Sequence, residues 1–245
     1  MSDSTKVEPA ASTKTQPPRP YGFSAILTGF GRLFRSFLSL VLVIVANALV
    51  QAVLVAAFDP QPALNPLFFV LLLISVAFFV WSFYSFNLIA LEGSTGKPRF
   101  SNIFRRTARE WGWFILWAFI MYVLVLAGLV VSTYLAIAVI ILLPFVTLAA
   151  SDGNRNPLKT NFRVMGRRIW RYLVTAVIFL PLLGISLLFT SVNGFFIGGG
   201  IGSFITWLYW GVVGAWYLNT LGLIYRSTDA GMVTEDSVAV PSESR

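Results

Sequence analysis

Neither cysteine nor histidine occurs anywhere in this 245-residue chain. Their absence excludes disulfides, cysteine nucleophiles, zinc sites built on Cys or His, and any Ser-His triad. It also removes the usual clue to redox compartment. Charge is scarce as well: 11% of the residues are Asp, Glu, Lys or Arg, against about 25% in an ordinary soluble domain. Acid is the scarcer sign, with 10 acidic residues against 18 basic ones. The apolar segments hold no pair of carboxylates, so hydrolysis and group transfer lack an acid–base partner there. The chain therefore reads as non-enzymatic, with no cofactor and no metal expected. The run GSTGK at Gly93–Lys97 has neither P-loop spacing nor Ser or Thr after the lysine, and reads as a turn.

What the chain has in abundance is apolar length. Hydrophobic residues make up 57% of it, and several uncharged stretches reach the roughly 20 residues that cross a hydrocarbon core. A single soluble core of this size cannot hide them all, so lipid must solvate most of the chain. Six spans are predicted, at 37–58, 67–91, 111–131, 134–150, 172–190 and 203–225. Pro144 and Pro181 are expected to kink the fourth and fifth. Residues 1–20 and 227–245 are polar and read as disordered tails flanking a membrane domain at 21–226. The first tail lacks the pattern of a secretory signal. Ser2 and the missing cysteine exclude myristoylation and prenylation.

The basic residues set the topology. All 18 fall in the first tail with Arg32 and Arg35, in 97–109, in 155–171, or at Arg226 and Arg245. The opposite loops, 59–66, the turn at Ser132 and 191–202, contain none. The positive-inside bias then places the basic side, and both termini, in the cytoplasm. A single crossing over 111–150 would strand seven or more basic residues outside, which favours two short helices there. Arginine outnumbers lysine 14 to 4, and this usage, with abundant Ala, Val and Gly, points to a high-GC bacterial genome and its plasma membrane.

Three basic segments look alike: FSAILTGFGRLFRSF from Phe23, FSNIFRRTAREWGWF from Phe100 and LKTNFRVMGRRIWRY from Leu158. In the third, Leu158, Phe162, Met165, Ile169 and Tyr172 share one helical face, and Lys159, Arg163, Arg167 and Arg171 another. Such helices lie in the interface plane. The expected fold is thus an all-α integral membrane protein of six transmembrane helices. It is built as three parallel repeats at about 21–91, 98–150 and 157–226, each an amphipathic interfacial helix plus a transmembrane hairpin.

The segment LLPFVTLAASDGNRNPLKTNFRVMGRRIWRYL, from Leu142 to Leu173, and LIALEGSTGKPRFSNIFRRTAREWGWF, from Leu88, share a layout. Each is an apolar helix end, a polar loop, then an Arg-Arg-x-Trp-like helix. In this they resemble bacterial multi-span proteins like the membrane domain of glycerophosphoryl diester phosphodiesterase. The resemblance implies a multi-span domain. The catalytic barrel of the fused members is absent from this sequence, so no activity carries over.

Three sets of candidate residues follow. Arg32, Arg35, Arg105, Arg106, Arg109, Lys159, Arg163, Arg167, Arg168 and Arg171 are candidates for contact with lipid or a partner; their plain alternative is topology alone. Asn47, Gln51, Asn87, Glu92 and Asn219 are expected in the bundle interior, as interhelical hydrogen bonds or as a polar pathway. Gly211, Ala215 and Gly222 share a face with Asn219 and form a packing seam. The partners expected are membrane lipids, through anionic headgroups on the cytoplasmic side, and a second membrane protein, but no nucleic acid. Two functions compete: a scaffold or accessory factor in a membrane or envelope process, and a transporter or facilitator of a lipidic or uncharged solute.

Overall fold

The computed structural model describes residues 22–58, 66–93 and 100–238. The first tail, the loop 59–65, the segment 94–99 and the last residues, 239–245, lie outside them. Eight helices follow one another among the described residues: α1 (Gly22–Arg35), α2 (Phe37–Phe58), α3 (Pro66–Glu92), α4 (Phe100–Val131), α5 (Thr133–Leu142), α6 (Val146–Ser151), α7 (Pro157–Phe196) and α8 (Gly199–Val238). The protein is all-helical over these residues.

Five helices are long and apolar enough to cross a membrane: α2, α3, α4 from Trp111, α7, and α8 as far as Thr228. Their outward residues are as apolar as their inward ones. Leu38, Leu73, Val130 and Leu188 stand largely exposed. In water each such side chain would forgo about 1.5–3 kcal/mol of burial. With lipid as solvent that cost vanishes, and the helices also satisfy their own backbone polar groups. The molecule is membrane-embedded.

Helix α8 is the hub and packs against α1, α2, α3 and α7. Glycines set the closeness of its contacts. A Cβ on Gly200 would lie 2.7 Å from Cβ of Ala56, and one on Gly211 would lie 2.7 Å from Cγ2 of Ile44. These two contacts make α8 antiparallel to α2. A Cβ on Gly222 would lie 2.7 Å from the carbonyl oxygen of Ala90 on α3. Helix α1 crosses α8 where Gly29 meets Thr220, and Trp216 Nε1 donates to the Ile26 carbonyl at 3.0 Å.

The fourth predicted span is not one helix. It breaks at Leu143–Phe145 into α5 and the six-residue α6. Pro144 cannot donate a hydrogen bond and clashes with a continuing helix. Instead of merely bending, the chain unwinds there. All six residues of α6 are buried, among α3, α4 and α7. At the other end Ser132 caps α5, accepting from the N–H of Tyr134 at 3.1 Å. Gly128 lets α4 and α5 approach closely at Ala136.

Other expectations change in the structure. The three basic segments are not alike. The first forms α1 and joins α2 through Ser36, whose N–H donates to the Arg32 carbonyl at 3.0 Å. The second runs straight into its span, giving a 32-residue α4. At 1.5 Å per residue that is about 48 Å, longer than the hydrocarbon core, so the basic segment and the span form one continuous helix. The third opens α7, which departs from helical angles at Arg168 (φ −134°, ψ 26°) and not at Pro181. The glycine loop expected at 191–202 shrinks to a turn at Ile197 and Gly198, with Gly198 (φ 57°) and Gly199 (φ 51°) in the left-handed region. Helix α8 runs on to Val238, past the predicted end of the sixth span at Tyr225. Between Arg226 and Pro241 only Gly231 is a helix breaker.

Candidate functional site

The basic residues gather where α1, α4, α6 and α7 begin or end. Helix α1 turns Ala25, Ile26 and Gly29 inward onto α8 and leaves Phe23, Leu27, Phe30 and Phe34 exposed. Its basic pair divides: Arg35 is exposed, while Arg32 is half-buried, with Nη1 out of contact with solvent and without a hydrogen-bond partner. Burial, and then the neighbouring Arg35, lower the Arg32 guanidinium to about 10. It thus stays charged at neutral pH at a real desolvation cost. Arg105 is exposed on α4, and the side chains of Arg106 and Arg109 lie outside the described set.

On α7, Lys159, Arg163 and Arg167 are exposed, and Arg168 and Arg171 are half-buried. Arg168 Nη2 donates to the Ser227 carbonyl at 3.3 Å, tying the kink of α7 to α8. The apolar stripe expected here is rotated. Asn161, Val164 and Tyr172 face the bundle, while Phe162 and Ile169 face outward with Trp170, beside the arginines. The inward face is set by what α6 requires, which a periodicity of apolar residues does not report.

The interior polar residues form two separate groups. Gln51 on α2 bridges to α3: Ser75 Oγ donates to Gln51 Oε1 at 2.5 Å and Gln51 Nε2 donates to the Ser75 carbonyl at 3.1 Å. Asn47 Oδ1 accepts from the same Nε2 at 3.4 Å. This clasp is closed. Asn87 on α3 and Asn219 on α8 differ. Both are buried, both lie one turn before the Ala90–Gly222 contact, and the Oδ1 of each lacks a partner. Asn87 Nδ2 donates to its own helix, at Phe83, 2.8 Å away. Glu92 is half-buried at the end of α3 and interacts with its surroundings. The seam residues Gly211, Ala215 and Gly222 lie inside the bundle, the glycines against α2 and α3.

Sequence reasoning passed over the residues that build the basic end. Asp152, after α6, binds Arg226 of α8 at 2.7 Å and accepts from Tyr225 Oη at 3.2 Å. Asn154 Nδ2 donates to Tyr225 Oη at 2.7 Å, and its carbonyl accepts from Trp113 Nε1 at 2.9 Å. The signal in the sequence was an acidic residue inside an otherwise basic loop. Beside this network α3, α4, α6 and the turn after it line an open cavity of about 420 Å³. No family model, no curated protein and no solved structure matches the chain.

Proposed function

We propose that this is a non-enzymatic integral membrane protein, a scaffold or accessory factor in a membrane or cell-envelope process, which contacts anionic headgroups of the cytoplasmic leaflet. One observation carries the reading. Arg32 is half-buried and charged with an unpartnered Nη1, under a helix whose phenylalanines face outward. The part of that guanidinium that still reaches the surface would meet an anionic headgroup while lipid tails cover Phe23, Leu27, Phe30 and Phe34. On α7 the exposed Phe162, Ile169 and Trp170 form a second outward apolar face beside Arg163 and Arg167, which also interact within the protein.

The same reading places six crossings in a bacterial plasma membrane, with both termini cytoplasmic, and keeps the resemblance to multi-span phosphodiesterase membrane domains. The bond from Trp113 to Asn154 supports the sixth crossing. It brings the chain after α6 back to the level at which the apolar part of α4 begins, so α5 and α6 together cover the depth of α4. Replacing Arg163, Arg167 and Arg171 with Gln tests the lipid contact. Binding to anionic liposomes should weaken while reporter fusions at Arg155 and Arg245 stay cytoplasmic. Unchanged binding would sink the contact; an external signal at Arg155 would sink the six-crossing topology.

A second reading, passage of an uncharged or lipidic solute, is favoured by the orphaned Oδ1 atoms of Asn87 and Asn219. Buried carbonyl oxygens without partners invite water or a polar solute. Solute flux into proteoliposomes that falls when both are changed to Leu would move the assignment to this class.

A further inference from the structure

The cavity at the basic end has walls of distinct chemistry. Its described lining is Tyr84 of α3, Trp113 of α4, Ala150 and Ser151 of α6, and Gly153 and Arg155 of the turn that follows. Its volume, about 420 Å³, falls in the range of about 300–1,000 Å³ typical of small-molecule sites. The walls are held in place. Tyr84, Ala150 and Ser151 are buried, and the Trp113 indole is fixed by its bond to Asn154. The turn is anchored to α8 through Asp152. A Cβ on Gly153, at φ 80°, would meet nothing within 4 Å, so open space reaches that backbone.

Charge decides what fits. The acidic residue of this turn, Asp152, is taken up by Arg226 and Tyr225. Arg155 is exposed and makes no ion pair or hydrogen bond with any described residue. A guanidinium with no acidic partner among the described residues, at the rim of a cavity with aromatic walls, suits an anion carrying a small organic group. Its planar fork matches phosphate oxygens in pairs.

We propose that this cavity binds a phosphate-bearing small group, with Arg155 contacting the phosphate and Tyr84 and Trp113 flanking the organic part. The group is either the headgroup of a lipid in the leaflet at this end or a soluble phosphate compound. Neither Arg32 nor an arginine of α7 is among its described lining residues.

The test uses the full-length protein. In nanodiscs of phosphatidylcholine with phosphatidylglycerol, native mass spectrometry counts retained phosphatidylglycerol. In detergent, calorimetry follows inorganic phosphate, and tryptophan emission is read in parallel. Binding of either ligand should fall about tenfold in Arg155→Gln and recover in part in Arg155→Lys. The emission change should vanish in Trp113→Phe. Retained phosphatidylglycerol without a phosphate response supports a lipid headgroup, and the reverse supports a soluble ligand. The triple change of Arg163, Arg167 and Arg171 to Gln should leave this binding intact, which separates it from the interfacial contact. Wild-type protein that binds neither ligand, or Arg155→Gln protein that binds as wild type, overturns the proposal.

Discussion

Asn161 of α7 reaches Phe145 across the break that precedes α6, its Oδ1 accepting the Phe145 N–H at 2.9 Å. Its amide also donates to the Leu142 carbonyl at 2.9 Å, and Tyr172 Oη donates to the Ile141 carbonyl at 2.5 Å. Pro144 leaves these backbone groups without helical partners, in a region lipid cannot satisfy. Two side chains of α7 replace the missing ladder, so an unwound segment persists inside the bundle.

Asn161→Leu should therefore be costly. It orphans the buried Phe145 N–H and the Leu142 carbonyl, two groups that lipid cannot satisfy, at about 1–3 kcal/mol each. Unfolding in detergent, followed by helicity, should shift to lower temperature by several degrees, and Asn161→Asp, which sets a buried carboxyl group against the Leu142 carbonyl, should not restore the midpoint. A wild-type midpoint in Asn161→Leu would show that the break is satisfied by other means.

The glycines of α8 offer an internal control. Gly222→Ala drives a methyl into the backbone of Ala90, at 2.7 Å from its carbonyl oxygen, whereas a Cβ on Gly214 would meet nothing within 4 Å. Gly222→Ala should destabilise by about 1–3 kcal/mol through overpacking. Gly214→Ala should be neutral or stabilise by up to about 1 kcal/mol through helix propensity. Equal effects at the two positions would contradict the α3–α8 contact.

The clasp between α2 and α3 should matter less than its burial implies. Gln51→Leu removes the bonds to Ser75, but such bonds in membrane helices average only about 0.6 kcal/mol. A double-mutant cycle with Ser75→Ala should return a coupling of that size. A coupling near zero would mean the two side chains do not meet.

The proposed headgroup contact at Arg32 couples stability to the lipid. Adding anionic lipid should raise the thermal midpoint of the wild type and not of Arg32→Gln. The guanidinium, lowered to about 10 by burial and by Arg35, is charged below that pH and loses its charge as pH rises through it. A bound anion pushes the value back up, so lipid stabilisation should persist through pH 9 and fade only above about 10. Loss of the effect near neutral pH would contradict the assignment.

Much of the architecture was legible because the bilayer imposes it. Uncharged runs of span length give α2, α3 and α8 nearly at the predicted positions. The inward positions of Gln51, Asn87 and Asn219 followed from the cost of polar groups in hydrocarbon. The candidate site was less legible. The polar residues that matter most, Asn161 and Asp152, sit in a helix and a turn where a polar residue is ordinary. Their partners are 16 to 74 residues away along the chain.

By itself, then, the sequence determined that the chain is helical and lipid-solvated, because hydropathy and helix length act locally. It also located the small residues at which helices approach closely, although not their partners. Only the tertiary structure decided that Pro144 opens a break rather than a bend, that α6 is buried, and that Arg32 is half-buried while Arg35 is exposed. Each of these depends on which distant groups complete a hydrogen bond or exclude water. That is a property of packed helices, and no single segment carries it.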